Sequence, residues 1–329
     1  MTQDPHSKNT VILSDSPRGL RAAAALLHAG EQVAFPTETV YGLGADARNP
    51  RAVAGIFAAK GRPAFNPLIV HVADVEAARA LAEFGDDARI LAATFWPGPL
   101  TLVLPRRPEA GLADLATAGL ETVGIRVPAH PLARRLLIAF GGPVAAPSAN
   151  PSGRVSPTSA AHVLEGLRGR IAGVVDGGTC PVGVESTIVG FDGGRPILLR
   201  PGGIPVAALS EALGREIGRP VTTGIIAPGQ MTSHYAPRAQ LRLEASGPGP
   251  DELWLGFGPV ESLRPGLNLS PSGDLAEAAA NLFAHLREID AMATKSGVKC
   301  VAVAAIPEKG LGEAINDRLR RAAAPRPAG

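Results

Sequence analysis

Cysteine is nearly absent: the 329-residue chain has two, Cys180 and Cys300, far apart and without paired spacing. That excludes a cysteine-rich zinc site, argues against a disulfide scaffold, and fits a reducing compartment. Aromatic residues make up 4% and the formal net charge is +2. Neither stacking platforms for bases nor a broad basic face is on offer for nucleic acid. The opening MTQDPHSKNT lacks a hydrophobic signal core, and no apolar run reaches the roughly 18 residues of a spanning helix. A cytoplasmic protein without membrane contact is expected. Also absent are G-x-x-x-x-G-K-[ST], G-x-S-x-G and H-E-x-x-H, so neither covalent nor zinc-based chemistry has support.

Glycine and proline, by contrast, are plentiful, at 39 and 31 residues, and imply many turns and fixed loops. Hydrophobic residues at 45% and charged ones at 19% describe a globular chain whose length predicts two domains. Ser16, Pro17 and Gly30 mark the cap, first turn and stop of a helix, followed by a strand from Val33 to Phe35 and a hydroxyl- and glycine-rich loop, TETVYGLGAD. Asn49 and Pro50 open a second helix ending at Lys60-Gly61, and the strand PLIVHV comes next. Helices near 74–84 and 86–95, LTLVL, TVGIRVP, PLARRLLIAF, PVAAP, PTSAAHVLEGL and AGVVD continue the alternation of an α/β domain. ESTIVGF and RPILLRP, joined by Asp192-Gly193-Gly194, read as a hairpin, which makes the sheet mixed. The expected division is a flexible N-terminus over 1–12, a catalytic α/β domain over 13–212, a linker or lid over 213–238, and a smaller α/β domain over 239–329.

Several clusters carry polar groups at element ends. Lys60 and Arg62 are either cations stabilised by a helix C-terminus or a grip on phosphate. Strand alternation puts Leu68, Val70 and Val72 on one face and Ile69 with His71 on the other, leaving His71 as either a core histidine or a ligand contact. Asn66 before Pro67 suits a turn or a bond to a nucleotide. Ser148, Asn150 and Ser156, around PSANPSGRVSP, are either loop and N-cap chemistry before a helix starting at Ser156-Pro157 or an anion site. Thr122, Gly124 and Arg126 share one face of TVGIRVP, as a solvated edge or as a guanidinium aimed at an anion. Ser186, Thr187 and Arg200 lie at strand ends beside turns. In SHYAPR, Tyr235 is either an exposed linker residue or part of a lid.

FPTETVYGLG, KGRPAFNPLIVHV, WPGPLTLVL, TVGIRVP, APSANPSG, ESTIVGF, LLRPGG and SHYAPR, in this order, resemble the threonylcarbamoyl-AMP synthase family, and GEAINDRLRRAA resembles the extra C-terminal domain of its long branch. The resemblance implies a twisted mixed α/β sheet with a large concave, positively charged cavity (YrdC-like) and a smaller Rossmann-like α/β domain. It implies synthesis of L-threonylcarbamoyl-AMP and pyrophosphate from L-threonine, bicarbonate and ATP, with magnesium accompanying ATP. The product would pass to a separate tRNA threonylcarbamoyl transferase acting at adenosine 37, so direct tRNA binding is not required. By the same resemblance Lys60, Arg62, Ser148 and Asn150 form a tetrad at the phosphates, and Asn66, Thr122, Ser156, Arg200 and Tyr235 join them around ATP. Thr39, His71, Arg126, Ala146 and Ser186 would hold threonine, with Thr37 nearby. Two alternatives are an RNA-binding module on the same scaffold and the related carbamoyl-transfer domain of hydrogenase maturation. The second carries zinc-binding cysteine pairs that this chain lacks.

Overall fold

The helix signals act as read in the structure, a computed structural model that describes residues 8–219, 235–259 and 265–325. Ser16 caps the helix Pro17–His28 by accepting from the Gly19 amide at 3.1 Å, and Gly30 leaves it with φ 81°. Asn49 caps Pro50–Lys60 in the same way, and Gly61, at φ 60°, supplies the left-handed stop.

Among the described residues, ten strands form one mixed sheet. They are β1 (Val11–Ser14), β2 (Val33–Phe35), β3 (Gly42–Asp46), β4 (Ile69–His71), β5 (Leu100–Pro105), β6 (Thr122–Arg126), β7 (Val144–Ala145), β8 (Gly173–Asp176), β9 (Thr187–Asp192) and β10 (Arg195–Arg200). Their order is β1-β8-β2-β3-β7-β4-β6-β5-β9-β10. Parallel β4 and β6 are in register with Ile69 opposite Gly124 and His71 opposite Arg126. Leu68, Val70, Val72, Val123, Ile125 and Val127 fall into the main core, so the alternate residues Ile69, His71, Gly124 and Arg126 face the other way. The hairpin of β9 and β10 turns at Gly193 and Gly194, at φ 54° and 79°.

Four further described strands build a second, parallel sheet: β11 (Gln240–Ala245), β12 (Glu252–Gly256), β13 (Gly266–Asn268) and β14 (Cys300–Ala304), in the order β11-β14-β12-β13. The helices Leu275–Ser296 and Leu311–Ala323 cover it with Leu282, Phe283, Leu286, Ile315 and Leu319.

Local pattern misled in five places. GLGAD is not loop but β3: at Gly44 a Cβ would stand 2.8 Å from Phe35 Cε1 and Val144 Cγ1, so glycine is there to admit its neighbours, not to turn the chain. The helix expected from Ser156 begins at Ala160, capped by Ser159. The helix expected near 74–84 is only Val75–Arg79, because the backbone at Leu81 and Glu83 is taken by Arg107 and Pro105. Residues 8–12, placed in a flexible N-terminus, are held: Lys8 donates to the Gly169 carbonyl and Val11 opens β1. β11 and β13 were not anticipated. Of the expected linker or lid, 220–234 lies outside the described residues.

Candidate active site

The cleft opens on the face of the large sheet that carries Ile69, His71 and Arg126. Thr37, Thr39, Arg62, Ile69, His71, Arg126, Ala146, Ser148, Glu185, Ser186, Arg200 and Tyr235 line it, around a free volume of about 50 Å³ that is open on one side. Of the residues singled out from sequence, this wall gathers Arg62 and Ser148 of the tetrad with Thr39, His71, Arg126, Ala146, Ser186, Arg200 and Tyr235.

Part of the cleft is organised by Arg126. β6 is internal, not an edge, and its last residue is buried with a fixed guanidinium: Nε donates to Gly98 O (3.3 Å), Nη1 to Thr39 Oγ1 (2.9 Å) and Nη2 to Glu38 Oε1 (2.6 Å). A guanidinium has five N–H groups, so two remain for a ligand among the described residues. Thr37 and Thr39 share a 2.8 Å hydroxyl contact, and Ser186 Oγ meets Thr101 Oγ1 at 2.7 Å. His71 is buried edge-on against Phe35, with ring centroids 6.2 Å apart. Burial, with Arg126 next in effect, pushes its pKa down to about 3, so the ring is neutral, and Nδ1 has no hydrogen-bond partner among the described residues. The unfolded chain would protonate His71 near pH 6.5, which the fold resists. Wild-type stability should therefore lose about 1.4 kcal/mol per pH unit from His71 as pH falls below 6.5, towards 3. Urea midpoints at pH 7 and 5 check this: His71→Gln should flatten the slope, and an unchanged slope would contradict it.

A second cationic group, Arg62 with Arg200, lines the same wall and meets the first at Ser186. Arg200, buried at the end of β10, holds Ser186 through Nη2 to the carbonyl (2.9 Å) and to Oγ (3.2 Å). Arg62 Nη2 donates to Pro67 O (2.9 Å) and Nε to Asn66 O (3.2 Å), which fixes the loop after Gly61. Burial lowers the Arg62 pKa to about 10, with Tyr235 opposing and Arg200 adding, so the group stays cationic at neutral pH.

Not every expected residue reaches the wall. Lys60 is buried, and its ammonium donates to the carbonyls of Ser148 and Asn150, holding the PSAN loop from behind. Burial first and Arg62 second hold its pKa well below that of ordinary lysine. Asn150 is also buried, its Nδ2 donating to Pro151 O (2.9 Å) and Arg154 O (2.8 Å). These two tetrad members shape the wall rather than form it. Ser156 is not an N-cap: its hydroxyl donates to Glu185 Oε1 at 2.6 Å. Thr122 lies at the far end of β6, in a separate cavity of about 390 Å³ with Val103, Gly190 and Leu199. Ile69 in the cleft and Val103 and Leu199 in that cavity belong to one apolar cluster, so both sites lie on the same face of the sheet. Asn66 is buried behind the Arg62 loop.

Sequence reading passed over Glu38, Thr101, Glu185 and Arg318. The two carboxylates sit inside PTETV and VEST, where an acid among hydroxyls at a strand end was the available signal. Arg318 interrupts the apolar stripe Leu311, Ile315, Leu319, Ala322, and a charge in such a stripe calls for a buried partner. Arginines buried in a narrow cleft and tied to acids do not present the open basic surface a duplex RNA needs.

Comparisons with known proteins bear on this geometry. A family model described as "Telomere recombination" (Sua5/YciO/YrdC) matches residues 25–202, and one described as "Threonylcarbamoyl-AMP synthase, C-terminal domain" matches residues 204–324. A threonylcarbamoyl-AMP synthase of Pyrococcus abyssi is 43% identical over 325 residues, covering 92% of this chain and 93% of its own. One from Bacillus subtilis is 42% identical over 335 residues, covering 94% of each. The crystal structure of Pyrococcus abyssi Sua5 complexed with L-threonine superposes with a TM-score of 0.86 at 39% identity, over 95% of this chain and 98% of that one.

Proposed function

The chain belongs to the threonylcarbamoyl-AMP synthase family, and from that premise we propose that its cleft makes L-threonylcarbamoyl-AMP and pyrophosphate from L-threonine, bicarbonate and ATP. The observation that carries the reading is one cleft with a fixed guanidinium among hydroxyls, Arg126, and two further guanidiniums on the same wall, Arg62 and Arg200. An amino-acid carboxylate suits the first and a triphosphate the second. The Pyrococcus abyssi protein was crystallised with L-threonine.

In this reading Arg126 takes the threonine carboxylate with its two remaining N–H groups, while Thr39, Ser186 and the neutral His71 surround the polar side chain and amine. Once the neutral amine has added to bicarbonate-derived carbon dioxide and given up a proton to water, the carbamate oxygen is already an anion. It attacks the α-phosphorus of ATP, the bond from that phosphorus to the bridging oxygen breaks, and pyrophosphate leaves with the electron pair. That step is nucleotidyl transfer and needs no strong protein base, in keeping with the missing nucleophile motifs. Charge grows on the phosphate oxygens, where Arg62 and Arg200 offset it. Glu185 is the acid on the cleft wall, and both its oxygens are engaged, by Ser156 and Arg318, so magnesium is best written as part of the substrate, chelated by the triphosphate. Thr122, in the cavity on the same face of the sheet, would then meet the nucleoside, and Asn66 would act through the Arg62 guanidinium that its carbonyl holds. A separate transferase would carry the product to tRNA. No helix among the described residues is long and apolar enough to cross a membrane, and we place the reaction in the cytoplasm.

The test is pyrophosphate release by the purified protein with magnesium and ATP, with and without L-threonine and bicarbonate. Release requiring both is expected. Release indifferent to threonine, or none from folded protein, would overturn the reading.

A further inference from the structure

Glu185 places a carboxylate in the wall that, on the reading above, receives a triphosphate, and an unneutralised carboxylate there would repel it. Its neutralising partner comes from the other domain. Arg318, on the helix Leu311–Ala323, is fully buried and donates from Nε to Glu185 Oε2 (2.8 Å), and from Nη1 to Pro201 O and Asp317 Oδ2 (both 2.8 Å). Burial alone would push the Glu185 carboxyl up, but Arg318 and Arg200, with the hydrogen bonds from Ser156 and Arg318, outweigh it and hold the pKa down at about 2.

The same guanidinium lies 5.6 Å from the ring centroid of Tyr235, and Phe283 of the helix Leu275–Ser296 stacks on that ring with centroids 5.4 Å apart. Tyr235 has φ 62°, a left-handed backbone that a non-glycine residue rarely adopts. Two helices of the C-terminal domain pack against its side chain. The docking is close: a Cβ on Gly183, two residues before Glu185, would stand 2.2 Å from the Ala279 carbonyl oxygen.

We propose that Arg318 is a positioning residue of the nucleotide site, holding Glu185 and Tyr235 where the triphosphate meets them, so that docking of the C-terminal domain sets ATP affinity. The proposal rests on the cleft being an ATP site. A purely structural interdomain ion pair would instead affect stability and leave the two substrates' parameters unsplit.

The experiment uses the full chain, with titration by magnesium-ATP and steady-state KM values for ATP and L-threonine. Arg318→Gln should weaken ATP by about 10-fold or more and leave the threonine KM within about threefold, the pattern of a charged partner withdrawn from one side of the cleft. Arg318→Lys should recover part of the loss, and Glu185→Gln in the Arg318→Gln background should recover more, because the uncompensated carboxylate is gone. Gly183→Ala, which adds no charge but sets a Cβ against the Ala279 carbonyl and strains a backbone at φ 75°, should shift ATP affinity in the same direction. Unchanged ATP affinity in Arg318→Gln, an equal change for both substrates, or no relief by Glu185→Gln would each overturn the proposal while leaving the synthase reading intact. Wild-type protein that fails to bind ATP would overturn both.

Discussion

Arg126→Gln is expected to raise the KM for L-threonine about 100-fold or more and to leave that for ATP within about threefold, because a bidentate guanidinium–carboxylate contact of several kcal/mol is lost from one substrate only. The geometry sharpens this expectation. Arg126 is held by Glu38, Thr39 and Gly98, so its remaining N–H groups point where these partners leave space. Glu38 is itself anchored, accepting from the Ala129 amide at 3.1 Å. The cost of the substitution has a second part: a buried acid left without its cation destabilises by about 3–5 kcal/mol. The double variant Glu38→Gln/Arg126→Gln removes that charge, and should regain stability without regaining threonine. Steady-state kinetics and denaturant midpoints on the three proteins separate the two parts. Equal losses for ATP and threonine would contradict the placement of threonine at Arg126.

Arg62→Ala should cut turnover about 100-fold or more, as expected for one preorganised group facing developing charge, and should lower stability somewhat because Asn66 O and Pro67 O lose their donor. Lys60→Met should act mainly on stability. The Lys60 ammonium serves the carbonyls of Ser148 and Asn150, and two buried acceptors left without a donor cost about 1–3 kcal/mol each. Activity would fall in that variant because the PSAN loop, with Ser148 on it, loses its support. Thermal melts beside single-turnover rates decide the matter. A stable Lys60→Met protein with normal melting and a hundredfold slower chemical step would return Lys60 to the phosphates, and an Arg62→Ala protein with wild-type turnover would remove Arg62 from them.

These two residues, side by side in KGRPAF, show how far local reading carries. Both sit where a helix ends, and the family resemblance assigned both to the phosphates. The structure separates them because the left-handed Gly61 turns the chain between them, so Lys60 points into the protein and Arg62 into the cleft. His71 and Arg126 were better served, since strand alternation put them on the face opposite Val70 and Ile125, and pairing in register made them neighbours. Ser156 shows the opposite failure: a serine before a proline is good capping chemistry, but Ser159 takes that place and frees Ser156 for Glu185.

The sequence by itself determined what is local: the caps at Ser16 and Asn49, the hairpin at Gly193-Gly194, the buried face of each central strand, and the family resemblance carried by motifs in order. Only the tertiary structure decided the partners. Arg126 meets Glu38 across 88 positions, and Arg318 meets Glu185 across 133 and from another sheet's covering helix. No pattern with a period of two or 3.6 residues encodes such contacts. They arise when packing removes charged groups from water and leaves them one another as the available compensation.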